Sequence, residues 1–183
     1  MANDYPILAE LPAPAITAQL PIHGDDFARP DPALIEQLYE VGSANASATL
    51  HKIGISQSFI EGPLPRKKGA KVVGPAVTLQ FMPKREDLLN TRSEEGAEKR
   101  TALWAVFEAV QPGDVLVIQA YGSMHNGCLG EMLARYFYIG RGGIGIVVDG
   151  AVRDWPQIQE LDVPLWTRGF TPNYASQGPY FPW

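Results

Sequence analysis

Segments typical of buried strands alternate with segments typical of helices from residue 71 onward. Short runs rich in Val and Ile predict strands, and runs with apolar residues every three or four positions predict helices. The predicted strands are 71–81, 115–120, 144–149 and 164–167, and the predicted helices are 92–110, 129–139 and 155–161. Because strands that alternate with helices favour a sheet layered by helices, an α/β fold is expected.

The N-terminal region is rich in proline and lacks the alternating pattern. Residues 1–30 hold five prolines, which remove donors that helices and central strands need, so an extended arm is expected. Asp31 and Pro32 then open an amphipathic helix that ends before Gly42, and a second short helix is predicted over 43–53. The run 62–69 is interpreted as a solvated basic loop. We therefore predict an arm over 1–30 and a single domain over 31–183.

The composition excludes several classes of function. A chain of 183 residues that is 45% hydrophobic can bury one real core. Its 15 basic and 20 acidic residues give a net charge of -5, so nucleic acid is not an expected partner. Cys128 is the single cysteine, which excludes an intramolecular disulfide, and no His/Cys cluster suggests zinc. With no secretion signal or membrane-spanning run in the sequence, we expect a cytoplasmic protein without membrane contact.

The predicted strand 144–149 leads directly into Arg153 and Asp154. The carboxyl ends of strands in open α/β sheets face the ligand crevice. A guanidinium and a carboxylate that emerge there could hold an anionic ligand next to a divalent metal. A surface salt bridge, or a carboxylate that stabilises a helix start, explains the same pair. Position alone leaves both interpretations open.

The glycine-rich segment 140–145 matches the dinucleotide pattern G-x-G-x-x-G. That pattern binds a pyrophosphate only when it follows a strand and opens a helix. Here the glycines follow a predicted helix and precede a predicted strand. We interpret them as a helix C-cap and a turn, which argues against nucleotide binding.

The segment 121–130 is predicted as a loop between a strand and a helix. Free N–H groups at such a helix start bind carboxylates. Glu131 lies at this helix start and is a candidate site residue, although a first-turn carboxylate can also merely stabilise its own helix. His125 and Asn126 are candidates for hydrogen bonds to a substrate. Cys128 is expected to be a packing residue, because nothing pairs it with a base.

Several sequence blocks resemble the RraA-like family, which includes the 4-hydroxy-4-methyl-2-oxoglutarate and 4-carboxy-4-hydroxy-2-oxoadipate aldolases and the regulator of ribonuclease activity A. Their order and spacing match the family across more than half of the chain. The blocks are VGPAVT (73–78), PGDVLV (112–117), LGEMLA (129–134), VDGAVRD (148–154) and RGFTP (168–172). The resemblance implies the three-layer α/β/α swivelling-domain sandwich of that family.

The same resemblance implies a class II aldolase or lyase that cleaves a 4-hydroxy-2-oxo diacid and releases pyruvate. No lysine is placed to suggest a Schiff base, so Arg153 and a metal would stabilise the enolate. Asp154 would anchor Mg²⁺ or Mn²⁺. Glu131 would act in catalysis by holding a metal-bound water that moves protons, and the base that removes the C4 hydroxyl proton is not assigned. Substrate binding is expected at Gly130, Glu131, Met132, Leu133 and Arg153. The implied assembly is a homotrimer or a hexamer.

Two other functions remain open. An oxaloacetate decarboxylase would use the same site with carbon dioxide as the leaving group. A non-enzymatic regulator would bind a ribonuclease through an acidic surface. Such a regulator has no need for both Arg153 and Asp154, so the presence of the pair favours catalysis.

The sequence departs from the family pattern in three places. One extra residue separates Glu131 from Arg153, and we expect it in the turn 140–143. The segment 45–50 lacks the Asp that family members tend to carry there, which is expected to affect substrate choice. Family members also continue with further strands beyond residue 183. We therefore expect that the sequence is truncated and lacks a C-terminal acidic residue that reaches a neighbouring subunit's metal.

Overall fold

The computed structural model describes residues 24–84 and 102–182, and a six-stranded sheet forms its centre. The strands lie in the order β1-β5-β4-β3-β2-β6. β2, β3, β4 and β5 are parallel to one another, whereas β1 and β6 pair antiparallel at the two ends. The strands are β1 Leu64–Pro65, β2 Ala76–Pro83, β3 Val115–Gly127, β4 Gly145–Val152, β5 Leu165–Phe170 and β6 Tyr180–Pro182.

Helices connect the parallel strands, as the alternating pattern predicts. A π-helical turn, Tyr136–Gly140, continues α4, and a 3-10 turn, Ala175–Gln177, precedes β6. The α-helices are α1 Pro32–Tyr39, α2 Ser43–Lys52, α3 Ala102–Ala109, α4 Glu131–Arg135 and α5 Trp155–Glu160. The predicted α/β class is confirmed.

The core lies on one face of the sheet. In β2, Val77 and Leu79 are buried, whereas Thr78 and Gln80 are exposed on the opposite face. This alternation follows from the period of two in a strand. Three helical segments add side chains to the same core cluster. Phe107 comes from α3, Phe137 from the π-helical turn that follows α4, and Ile158 from α5.

The element boundaries differ from the predicted ones. β2 begins at Ala76 rather than at residue 71, and β3 and β5 run further than predicted, to Gly127 and Phe170. The short edge strands β1 and β6 were not predicted. The first part of the predicted helix 92–110 lies outside the described residues, as does most of the predicted arm.

Both N-terminal helices are present, but neither contributes a buried residue. Before them, residues 24–30 form neither helix nor strand. Arg29 in this segment nevertheless binds the fully buried Asp114, with Nη2 2.9 Å from Oδ2. That hydrogen bond raises the pKa of Arg29. No helix among the described residues has the length and apolar character needed to cross a membrane.

Candidate active site

Arg153 and Asp154 directly follow β4, at the carboxyl end of the parallel sheet. The Arg153 N–H donates to the carbonyl of Leu129 over 2.9 Å, which joins the end of β4 to the segment that enters α4. Asp154 has a φ of 52° in the left-handed region, a conformation that few residues other than glycine adopt. The backbone therefore turns sharply at the predicted site.

The Asp154 carboxylate points away from its own helix. Asp154 occupies the N-cap position of α5, but its side chain makes no cap hydrogen bond there. Its Oδ2 instead accepts the N–H of Glu131 over 3.2 Å and lies 3.8 Å from Nε of Arg153. The side chain remains 40% exposed. The structure thus brings Arg153, Asp154 and the start of α4 together.

Gly130 makes this arrangement possible. A Cβ atom built on Gly130 would lie only 2.4 Å from Oδ2 of Asp154. Real Cβ atoms do not approach other atoms so closely, so a larger residue would displace the carboxylate. Because Gly130 has no side chain, the Asp154 carboxylate can lie against the start of α4.

Three other predicted residues lie in the first turn of α4. Glu131 Oε1 accepts a hydrogen bond from Nε of Arg135 over 2.5 Å, an ion pair that the sequence interpretation missed. Met132 is 80% exposed, whereas Leu133 packs against the core. The first hydrogen bond of the helix runs from the Ala134 N–H to the Gly130 carbonyl. The N–H groups of Met132 and Leu133 precede that first bond, as the first-turn N–H groups of a helix do.

The predicted loop 121–130 is mostly an irregular continuation of β3. β3 pairs regularly with β4 up to Gln119. Beyond that residue, only two further residue pairs join the strands, and a bulge of three β3 residues precedes each pair. These pairs are Ser123 with Gly150 and Gly127 with Ala151. The bulges expose Tyr121, Met124 and His125.

Asn126 is a structural residue, which corrects the expectation that it binds substrate. Its side chain is fully buried, and Nδ2 donates to the carbonyls of Ala175 and Tyr180 at 2.7 Å each. The amide therefore fastens the C-terminal segment to β3. Cys128 is also buried, and burial raises the pKa of its thiol to about 12, in agreement with a packing role.

A second Arg–Asp pair lies near the ends of β4 and β5. Arg168 Nε donates to Oδ1 of Asp149 over 2.5 Å, and Nη2 donates to the carbonyl of Glu61. Cβ atoms built on Gly62 and Gly122 would lie 2.2 and 3.0 Å from the Arg168 guanidinium. The sequence blocks contained Arg168, but no local signal indicated its partners. This pair fastens residues 61–62 to the sheet.

The described residues contain no cluster of three or more His, Cys, Asp or Glu side chains that could hold a metal ion. The predicted site contains the carboxylates of Asp154 and Glu131. A groove of about 670 Å³ lies elsewhere, between residues 24–29, β2 and α3. It includes none of the predicted site residues.

The fold and the site together define a mixed α/β protein that carries an Arg–Asp pair at the carboxyl end of a parallel sheet. Comparison with models of protein families assigns the chain to a known family. The family model "RraA-like: Aldolase/RraA" matches residues 37–180. The chain therefore belongs to the RraA-like family, as its sequence blocks indicate.

Relatives of known name span both branches of this family. The solved structure of Streptomyces coelicolor RraAS2, described as an unusual member of the RNase ES inhibitor RraA protein family, is 54% identical and superposes with a TM-score of 0.76. The match covers 86% of this chain and 73% of RraAS2. A 4-hydroxy-4-methyl-2-oxoglutarate aldolase of Thermus thermophilus is 35% identical over 39% of this chain. Protein DlpA of Legionella pneumophila is 29% identical over 75% of it. The chain spans 43% of the Thermus protein and 21% of DlpA.

Proposed function

We propose that this protein is a divalent-metal-dependent aldolase that cleaves a 4-hydroxy-2-oxo diacid and releases pyruvate. The observation that carries the proposal is the Arg153–Asp154 pair, with its carboxylate turned toward α4 rather than toward its own helix. Membership of a family described as Aldolase/RraA supports it, as does the relative named as an aldolase.

In this proposal, Arg153 stabilises the enolate that forms when the carbon–carbon bond breaks. The charge develops on the ketone oxygen, so a guanidinium fixed in advance lowers the energy of the transition state. The Arg153 side chain is 34% exposed, which leaves it accessible to a substrate. The N–H groups of Met132 and Leu133 would bind a substrate carboxylate.

The donor set at Asp154 fits Mg²⁺ or Mn²⁺ better than a cation that needs a full protein cage. Mg²⁺ usually keeps several waters and uses one or two carboxylates. Within the described chain, the polar contacts of Asp154 involve Oδ2, so Oδ1 is available for a cation. A bound divalent cation would polarise the ketone of the 2-oxo acid.

Glu131 is the proposed proton carrier. Its carboxylate is 22% exposed and is held by Arg135, one helical turn further on. The bond to Arg135 involves Oε1, and in this proposal Oε2 would take part in moving the proton. Arg135 is therefore part of the proposed site, although the sequence interpretation did not include it.

A coupled pyruvate assay tests the proposal. The panel contains several 4-hydroxy-2-oxo diacids and oxaloacetate, each with added Mg²⁺ and with a chelator. We expect Mg²⁺-dependent pyruvate release from at least one hydroxy diacid. Release from oxaloacetate alone would identify a decarboxylase instead. No pyruvate from any compound would refute both enzymatic functions.

A second candidate function is supported by the 54% identity to RraAS2, which belongs to a family of ribonuclease inhibitors. The net charge of -5 is compatible with binding a basic surface of such an enzyme. The test is a ribonuclease cleavage assay with added protein, performed with the wild type and with Asp154→Asn. Equal inhibition by both would favour the regulator, since inhibition would not require the site.

A further inference from the structure

The side chain of Arg153 passes through a narrow space beside Gly127, the last residue of β3. A Cβ atom built on Gly127 would lie 2.1 Å from the carbonyl oxygen of Asn173. It would also lie 2.4 Å from Cγ and 2.9 Å from Cδ of Arg153. Gly127 is not among the residues with positive φ, so space rather than backbone conformation requires a glycine here.

The chain after β5 also borders this space. The Tyr174 ring centroid lies 5.8 Å from Cζ of Arg153, within the range of a cation–π contact. Asn173 Nδ2 donates to the carbonyl of His125 over 3.1 Å, and the Thr171 N–H donates to the carbonyl of Val152 over 3.0 Å. These bonds fasten residues 171–174 to the ends of β3 and β4.

We propose that Gly127 is a positioning residue for Arg153. Its missing side chain lets the aliphatic stem of Arg153 lie between the end of β3 and residues 173–174, with the guanidinium next to Tyr174. A free arginine side chain samples many rotamers, and this confinement removes most of them before a ligand binds. The catalytic consequence rests on the proposed function, whereas the confinement itself does not.

The direct test is the NMR signal of the Arg153 Nε–H group, which is assigned by its loss in Arg153→Ala. We expect Gly127→Ala to shift or broaden this signal. The matched control is Gly74→Ala, whose Cβ would lie 2.4 Å from the Gly113 carbonyl at the opposite end of the strands. The control introduces similar crowding and is expected to leave the signal unchanged. An unchanged signal in folded Gly127→Ala overturns the proposal.

Tyr174→Leu provides a second variant, because it removes the ring next to the Arg153 guanidinium without adding an atom beside Gly127. If Gly127→Ala does not fold, Tyr174→Leu tests the proposal instead. A shifted or broadened Arg153 signal would support the confinement of the side chain, and an unchanged signal would overturn it.

Kinetics separate the proposal from the proposed function. In an active enzyme, Gly127→Ala is expected to lower kcat by about 10-fold to 10²-fold, the scale of a small misplacement of a catalytic group. In an Arg153→Ala background the same change is expected to have little further effect, since coupled residues are not additive. If the two substitutions lowered kcat independently, so that their effects multiplied in the double variant, a positioning role for Gly127 would be contradicted. If the wild type releases no pyruvate, the proposed function fails and the NMR signal alone decides.

Discussion

The backbone of Asp154 starts its own helix, whereas its side chain faces α4. Its carbonyl accepts the N–H groups of Gln157 and Ile158 at 3.0 Å each, so the backbone starts α5 without help from the carboxylate. The left-handed backbone turns the side chain toward α4. A non-glycine residue in this region carries a cost of about 1 to 3 kcal/mol, and such residues cluster at functional sites.

Asp154→Asn is expected to abolish activity without unfolding the protein. Asparagine tolerates left-handed φ well, so the backbone is preserved, but the variant loses its anionic cation anchor. Pyruvate release with Mg²⁺ and the Tm measure the two properties. The matched control is Asp162→Asn, because Asp162 also has a positive φ of 59° but lies beyond the end of α5. Full turnover in the Asp154 variant, or after exhaustive chelation, would eliminate the metal mechanism.

Arg153→Lys keeps the positive charge but loses the planar fork that can reach a ketone oxygen and a carboxylate together. We expect kcat to fall by about 10²-fold or more, the scale of removing one oxyanion-stabilising donor. The change in KM is expected to be smaller. Steady-state kinetics give both parameters. A rise in KM alone would make Arg153 a binding residue without a role in the transition state.

At the level of elements, a π-helical turn in the helix before β4 offers a place for the extra residue that is expected between Glu131 and Arg153. The expectation placed that residue in the turn 140–143. The π-helical turn Tyr136–Gly140 lies directly before it, with the Arg141 N–H bonded to the Tyr136 carbonyl over 2.9 Å. A π-helical turn holds one residue more than an α-helical turn. The helix can therefore take up the extra residue while Glu131 still meets Asp154.

The Arg29–Asp114 pair joins the N-terminal segment to the start of β3, and breaking it is expected to destabilise the fold. Arg29→Met leaves the fully buried Asp114 carboxylate without its cation, which costs about 3 kcal/mol of unfolding free energy. Urea denaturation measures this loss. The control is Lys67→Met, which breaks the exposed Lys67–Asp162 pair and is expected to cost less than about 1 kcal/mol. Equal losses in the two variants would contradict the structural role of Arg29.

For the whole molecule, we expect a homotrimer or a hexamer in solution. The expectation rests on the family resemblance and on the proline-rich arm. Apolar side chains exposed on and after the N-terminal helices are compatible with contacts between subunits. They include Leu34, Leu38, Tyr39, Ile53 and Phe59. Size-exclusion chromatography with light scattering measures the assembly mass. A monomer at micromolar concentration would contradict the expectation.

The sequence by itself determined the alternation of the helices with the four parallel strands and the position of Arg153 and Asp154 after β4. Helix caps, turns and apolar periodicity are local signals, so residues near one another in the chain carry them. The same signals correctly assigned the glycines of 140–145 to the end of one element and the start of the next. The packing role of Cys128 was predicted for another reason, since nothing in the sequence pairs it with a base, and its burial agrees with that prediction.

Only the tertiary structure decided which residues surround the site. Gly127 and Tyr174 both lie beside Arg153, and Asn126 is bonded to the chain near β6, although long stretches of sequence separate these partners. The bulges of β3 and the edge strand β6 likewise depend on pairing between distant segments. Such contacts form because the packed sheet brings strand ends together, and no local pattern of residue types records which ends will meet.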